Sequence, residues 1–233
     1  MKEKHPKELF LLSMAGATVR FSFWGVGNLL VLYLLQFYQT STVHATHIYG
    51  LFIGLASFLP LAGGWLADKW NYHGPIFLGM SFSAAGCFLL ALGKIAILYP
   101  SLFLITIGYS MFVPSLFSIL SQVYKNKEKL RESGFTLTYS FFNIGVFTAL
   151  ISLGWIAHTI GWNQAFAFAG TIQLLGIIPI YVFQKKYRIK DVSLIRSEKK
   201  EKEINVQLKP HEKNRISVIV ILSLASLLFW ITF

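Results

Sequence analysis

A chain of 233 residues that is 55% hydrophobic and only 13% charged has too little polar material to cover a water-facing surface. Its net charge of +11 would suit nucleic acid in a soluble protein. Here the basic residues cluster as they do beside membrane spans, so the expected partner is the lipid bilayer and not nucleic acid. The single Cys87 lies in an apolar run and excludes a disulfide framework.

No Asp, Glu, Lys or Arg occurs in 21–67, 70–93, 95–124, 133–184 or 216–233, and each stretch holds at least one bilayer crossing of about 20 residues, the last only just. In chain order the spans are predicted over 9–38, 46–67, 75–93, 99–123, 134–158, 163–184 and 216–233. The fold class is therefore all-α, a polytopic six-helix bundle with an incomplete seventh helix. Its domains are the bundle (1–184), a basic linker (185–215) and the start of the seventh span (216–233).

The first span follows Lys2, Lys4 and Lys7, an arrangement that imitates a signal peptide. The apolar core at 9–12 is too short for one before the small residues at 13–17, and apolar character resumes after Arg20, so 9–38 is read as a retained, long and tilted helix. The connections read as turns: a Thr/His-rich 38–46, a short 68–74, a 94–100 that ends on Pro100, a charged 125–133 and a Gly-containing corner at 158–163. Lys and Arg number 3 in the N-terminus, 1 in 68–74, 4 in 125–132 and 11 in 185–215, while the alternate loops hold only Lys94. The positive-inside rule then puts the N-terminus, those loops and the linker in the cytoplasm. With its 11 basic and 5 acidic residues, the linker is expected to be solvated, with a helical portion on the membrane surface.

Arg20 lies inside the first span, where a guanidinium costs roughly 2.5–3.5 kcal/mol on insertion scales and normally faces a cavity or a partner. Its bidentate fork suits a carboxylate. All ten acidic residues lie in loops, span ends or the linker, so no span carries the buried carboxylate that proton relays use. His158 near the end of the fifth span is read as structural. Gly63 and Gly64 allow close helix approach before Asp68 and Lys69, which could cap the next helix or join a gating network. Gly50 and Gly54 form a small-residue face. Gly108 and Pro114 are expected to interrupt the fourth span, and Asn143 with Gly145 the fifth, as broken helices do beside substrate cavities. Asn143 suits a peptide amide, or could equally bind a neighbouring helix. No nucleophile–base pair, metal-ligand cluster or phosphate loop is present, so neither enzyme activity nor a cofactor or metal is expected.

Several strings together resemble the proton-dependent oligopeptide transporter family of the major facilitator superfamily, in its N-terminal half. They are 5–7 (HPK), 20–25 (RFSFWG), 30–34 (LVLYL), 49–50 (YG), 63–69 (GGWLADK), 135–145 (FTLTYSFFNIG) and 161–166 (GWNQAF). The resemblance implies di- and tripeptide uptake by proton symport at a bacterial inner membrane, with Arg20 and Asn143 as cavity residues and Tyr33 and Tyr49 as further substrate contacts. Gly63, Gly64, Asp68, Lys69 and Pro114 would serve gating or structure. The family's Glu-x-x-Glu-Arg of the first helix reads Gly16, Ala17, Thr18, Val19, Arg20 here, so both carboxylates are missing. Gly27 stands for a second arginine, Val113 for the lysine before the fourth-helix proline, and Phe23 and Trp24 for tyrosines.

The expectation is thus a truncated peptide-carrier polypeptide without autonomous proton coupling. One alternative is a divergent carrier of anionic solutes or peptides without classical proton coupling, completed by a second polypeptide half or a homo-oligomer. The other is a non-transporting membrane relic or interaction protein.

Overall fold

The structure, a computed structural model, describes residues 4–70, 73–186 and Val218, without the side chains of Asp68 and His73. The predicted linker beyond Lys186 and the predicted seventh span, apart from Val218, lie outside the described residues. The compact unit Met1–Ile189 contains seven α-helices among the described residues, with no strand: α1 (Lys7–Gln36), α2 (Thr42–Lys69), α3 (His73–Leu90), α4 (Leu98–Val123), α5 (Arg131–Thr159), α6 (Trp162–Leu175) and α7 (Ile177–Lys186). Short 3-10 turns at Ile95–Ile97 and Glu128–Leu130 lead into α4 and α5.

These helices fill the first six predicted spans. Five apolar helical stretches are long enough to cross a bilayer, with α6 and α7 counted as one, and the third, Gly74–Leu90, is shorter. The second span begins earlier than expected because the Ser41 hydroxyl caps α2, accepting from the His44 N–H at 3.3 Å. The third ends earlier because Gly93 turns the chain with φ 65°. The sixth span divides, a difference with a local cause. Pro179 has no N–H to donate to the carbonyl of Leu175 and its ring crowds that carbonyl, so α6 stops at Leu175 and α7 restarts after Gly176. The corner before α6 needs Gly161, whose φ of 138° disfavours any side chain.

Helix α1 is the axis of the bundle and packs against each of the other six. Of its most apolar window 61% is buried, as for α4, against 22% for α2 and for α5. The central helices are therefore α1 and α4, and α2 and α5 turn broad faces outward. Without a hydrophobic drive between helices in lipid, close backbone approach at small residues holds such a bundle together. A Cβ on Gly145 of α5 would strike the Ala17 carbonyl of α1, and one on Gly108 of α4 would strike the Gly79 carbonyl of α3. Hydroxyls add to these seams: Ser13 and Thr138 meet at 3.0 Å, and Ser22 donates to the Ala169 carbonyl at 2.8 Å.

The expected interruptions at mid-span are not seen, since α4 and α5 each run unbroken. Gly108 and Gly145 serve helix–helix contact and not a break. Pro114 removes one backbone bond, leaving the Ser110 carbonyl without its partner in the helix, and Gly63 of α2 packs directly on that carbonyl. Gly50 and Gly54, by contrast, have no atom within 4 Å of where a Cβ would stand, so their small face meets no described neighbour.

At the end of the bundle that carries the N-terminus, residues 4–6 are strapped to the α4–α5 connection. His5 Nδ1 lies 2.8 Å from the Tyr124 hydroxyl, their rings meet edge to face, and Lys127 Nζ donates to the Lys4 carbonyl at 3.2 Å. Burial, with the Glu8 charge nearby, pushes the Tyr124 phenol above its ordinary pKa.

Candidate functional site

The 3.6-residue period of α1 puts Gly16, Arg20 and Trp24 on one face, a turn apart. Arg20 is half-buried, and its Nε is buried without a hydrogen-bond acceptor. Two aromatic rings flank the guanidinium: Tyr109 of α4, with the Arg20 Cζ 5.5 Å from the ring centroid, and Phe142 of α5, with Cζ at 5.1 Å. The Trp24 indole N–H is likewise buried without an acceptor in bonding geometry, beside Tyr109. Three helices thus bring together one cation with an orphaned Nε–H and the Trp24 indole N–H beside the Tyr109 hydroxyl. No Asp or Glu lies between Glu8 and Asp68 in α1 and α2, or anywhere in α4. A region rich in donors and lacking acidic acceptors is complementary to an anion.

The surrounding packing is aromatic. Phe23 stacks on Tyr109 at 4.0 Å and on Phe52 at 4.9 Å, and meets Trp24 edge to face at 5.6 Å. On the other side Phe142 meets Phe117 edge to face at 5.9 Å, and Phe117 stacks on Phe135. These faces fix Arg20 without taking hydrogen bonds from it. Cation–π contacts of this kind are worth about 0.5–1 kcal/mol when exposed and about 2 when desolvated.

The other residues singled out from the sequence fall in different places. Asn143 follows Phe142 on α5 and its side chain is exposed, one turn beyond the exposed Tyr139. Tyr33 is not at the Arg20 cluster. It is wholly buried near the far end of α1, among Phe37, Tyr38, Trp162 and Phe166, with its hydroxyl 3.2 Å from that of Tyr38. Tyr49 is partly buried and packs against the core. Gly63 lies in the α2–α4 seam, and a Cβ on Gly64 would stand an ordinary 3.7 Å from Pro114. Lys69 Nζ sits 3.7 Å from the Trp65 ring centroid, while the side chain of Asp68 lies outside the described residues. His158 is exposed at the end of α5. A groove of about 500 Å³ between α2 and α4, lined by Ile48, Leu51, Leu55, Tyr99 and Phe103 among others, includes none of the Arg20 cluster and is apolar.

Sequence reasoning missed Tyr109 and Phe142 as members of the cluster. Tyr109 follows the flagged Gly108, and Phe142 precedes the flagged Asn143, but neither ring carried a signal of its own in a chain that is 16% aromatic.

Five apolar helical stretches long enough to cross a bilayer, packed around α1, define an integral, multi-pass membrane protein. The model of the major facilitator superfamily matches residues 12–233, and the chain belongs to that superfamily. Within it, the relatives are peptide transporters. The dipeptide and tripeptide permease A of Erwinia pyrifoliae is 28% identical over 185 residues, covering 78% of this chain and 38% of the permease. The dipeptide and tripeptide permease A of Citrobacter koseri is 29% identical over 178 residues, covering 75% and 36%. A solved structure of the peptide transporter POT in complex with sulfate superposes with a TM-score of 0.77 at 26% identity, covering 97% of this chain and 46% of that one. The chain spans less than half the length of the relatives it matches, and its helices correspond to their N-terminal half.

Proposed function

We propose that this chain forms the N-terminal wall of a di- or tripeptide carrier's substrate cavity, in which Arg20 receives the peptide carboxylate and Asn143 offers an amide to the peptide backbone. The single observation that carries the reading is Arg20 itself: a guanidinium within a membrane-crossing helix, braced by two rings and unpaired by any carboxylate among the described residues. A charge so placed is retained where something anionic meets it. The names of the relatives supply the peptide as the anion, and one of them holding sulfate suits a cationic site. In this reading the N-terminus, the 68–74 and 125–132 loops and the basic linker face the cytoplasm of a bacterial inner membrane. Peptide would bind between this half and a second one, contributed by further chain, another polypeptide or a homo-oligomer, with alternating access by rocking. Proton symport, where it operates, would draw on groups outside these spans.

Reconstitution of the chain into proteoliposomes with labelled dialanine under an inward proton gradient tests this. Uptake is the expected outcome where a second copy of the chain completes the cavity, and Arg20→Ala abolishes it. Uptake that survives Arg20→Ala would remove Arg20 from the site, and no uptake from a well-folded sample would remove transport as an activity of this chain alone.

A second reading, a carrier of anionic solutes or peptides without proton coupling, is favoured by the absence of acidic residues from all the predicted spans. It expects uptake that is indifferent to the gradient. A non-transporting interaction protein is the outcome if neither occurs.

A further inference from the structure

Phe142 is the only fully buried aromatic residue of α5, 1% exposed. Its ring occupies a notch on α1 that exists because residue 16 is glycine: a Cβ there would run into the ring. Gly16 is one helical turn from Arg20 on the same face, so a ring seated in that notch comes up under the guanidinium, 5.1 Å from Cζ to centroid. Phe117 of α4 meets the same ring edge to face and holds it from the other side.

The chemistry of the guanidinium gives this contact a consequence. Its N–H donors lie in the plane of the group, whereas an aromatic ring binds the face. A carboxylate partner would consume two in-plane donors, whereas the Phe142 and Tyr109 ring faces lie toward the cation, 5.1 and 5.5 Å from Cζ to centroid, and offer those donors no lone pair. Arg20 Nε is buried with no hydrogen-bond partner among the described residues. We propose that Phe142, seated on Gly16, is a positioning residue that fixes the Arg20 plane through its ring face and keeps the donor edge free, so that it sets the preference of the site for a ligand carboxylate. The inference rests on the reading of Arg20 as the carboxylate site.

The test compares equilibrium binding of dialanine and dialanine amide to the full chain in lipid nanodiscs. Phenylalanine at 142 is replaced by ring-fluorinated analogues, which keep its shape and progressively weaken its π face, and by Phe142→Leu. The expected result is a stepwise fall in the carboxylate-over-amide preference with fluorination, reaching about tenfold for the leucine variant, while affinity for the amide stays level. A purely structural ring would leave the fluorinated series flat, and that result overturns the proposal even where Phe142→Leu fails to fold. Arg20→Gln separates the two claims. Loss of preference in Arg20→Gln with a flat fluorinated series sinks only the role of Phe142, whereas an unchanged preference in Arg20→Gln sinks the carboxylate site itself.

Discussion

Arg20 and Tyr33 are carried by the same helix, and their surroundings are opposite. Around Tyr33 every feature is closed: the side chain is fully buried, the hydroxyl has its partner in Tyr38, and four aromatic rings enclose it. Around Arg20 the apolar contacts are as good, but the polar ones are unmade. Both regions are aromatic clusters built on the central helix of one bundle, so burial and ring contacts do not separate packing from binding. Unsatisfied donors do, because a membrane interior supplies no water to satisfy them cheaply.

The contrast is open to four measurements. Tyr33→Ala removes a large buried ring and is expected to lower unfolding free energy by about 4 kcal/mol. Thermal or denaturant unfolding in detergent reads this, and the carboxylate preference of the folded fraction should not move. Arg20→Ala should do the reverse. Loss of a charge-assisted contact lowers dialanine affinity by about 2 kcal/mol, and stability changes by less than about 1 kcal/mol, since the lost cation–π contacts are offset by relief of an unpaired buried group. A large stability loss in Arg20→Ala would make the two regions alike and break the comparison. Tyr33→Phe keeps the ring and deletes only the hydroxyl bond, so about 1 kcal/mol of stability is expected to go.

The smallest effect concerns the N-terminal strap. Tyr124→Phe should raise hydrogen exchange at residues 5–9 by the equivalent of about 1 kcal/mol. The phenol of Tyr124 is pushed upward in the fold, so folding favours its neutral form. The stability it contributes is fully present below the ordinary tyrosine value of about 10 and is lost as pH rises above it. The protection factor at the strap, exchange relative to its intrinsic base-catalysed rate, should therefore stay constant through neutral pH and fall only in strong alkali. A fall in protection that began near neutrality would contradict this assignment.

The bundle was legible in the sequence because lipid forbids charge over a fixed length, and charge-free stretches mark the helices directly. The division at Gly176 was also written there, in Pro179, but a proline in the third position of a new helix looks the same as one inside a continuous span. The expected interruptions at Gly108 and Gly145 failed for a related reason: a glycine that breaks a helix and one that admits a neighbouring backbone are the same residue, and only the neighbour decides. Arg20 stood out as a lone charge. Its braces did not, because Tyr109 and Phe142 come from other helices, and the fit of Phe142 depends on a side chain that Gly16 lacks. Tyr33 was read as a site residue by its place in a motif, whereas the structure gives its hydroxyl to Tyr38.

The central claim is that Arg20 holds free donors for a carboxylate while Tyr33 has none to offer. It is tested most directly by following the Nε–H resonance of Arg20, together with the ring resonances of Tyr33, as dialanine is titrated into the full chain in nanodiscs. The account expects a saturable shift at Arg20 Nε with dialanine, a much weaker one with dialanine amide, and no change at Tyr33. An Arg20 resonance that ignores dialanine, or that moves equally with the amide, would contradict it.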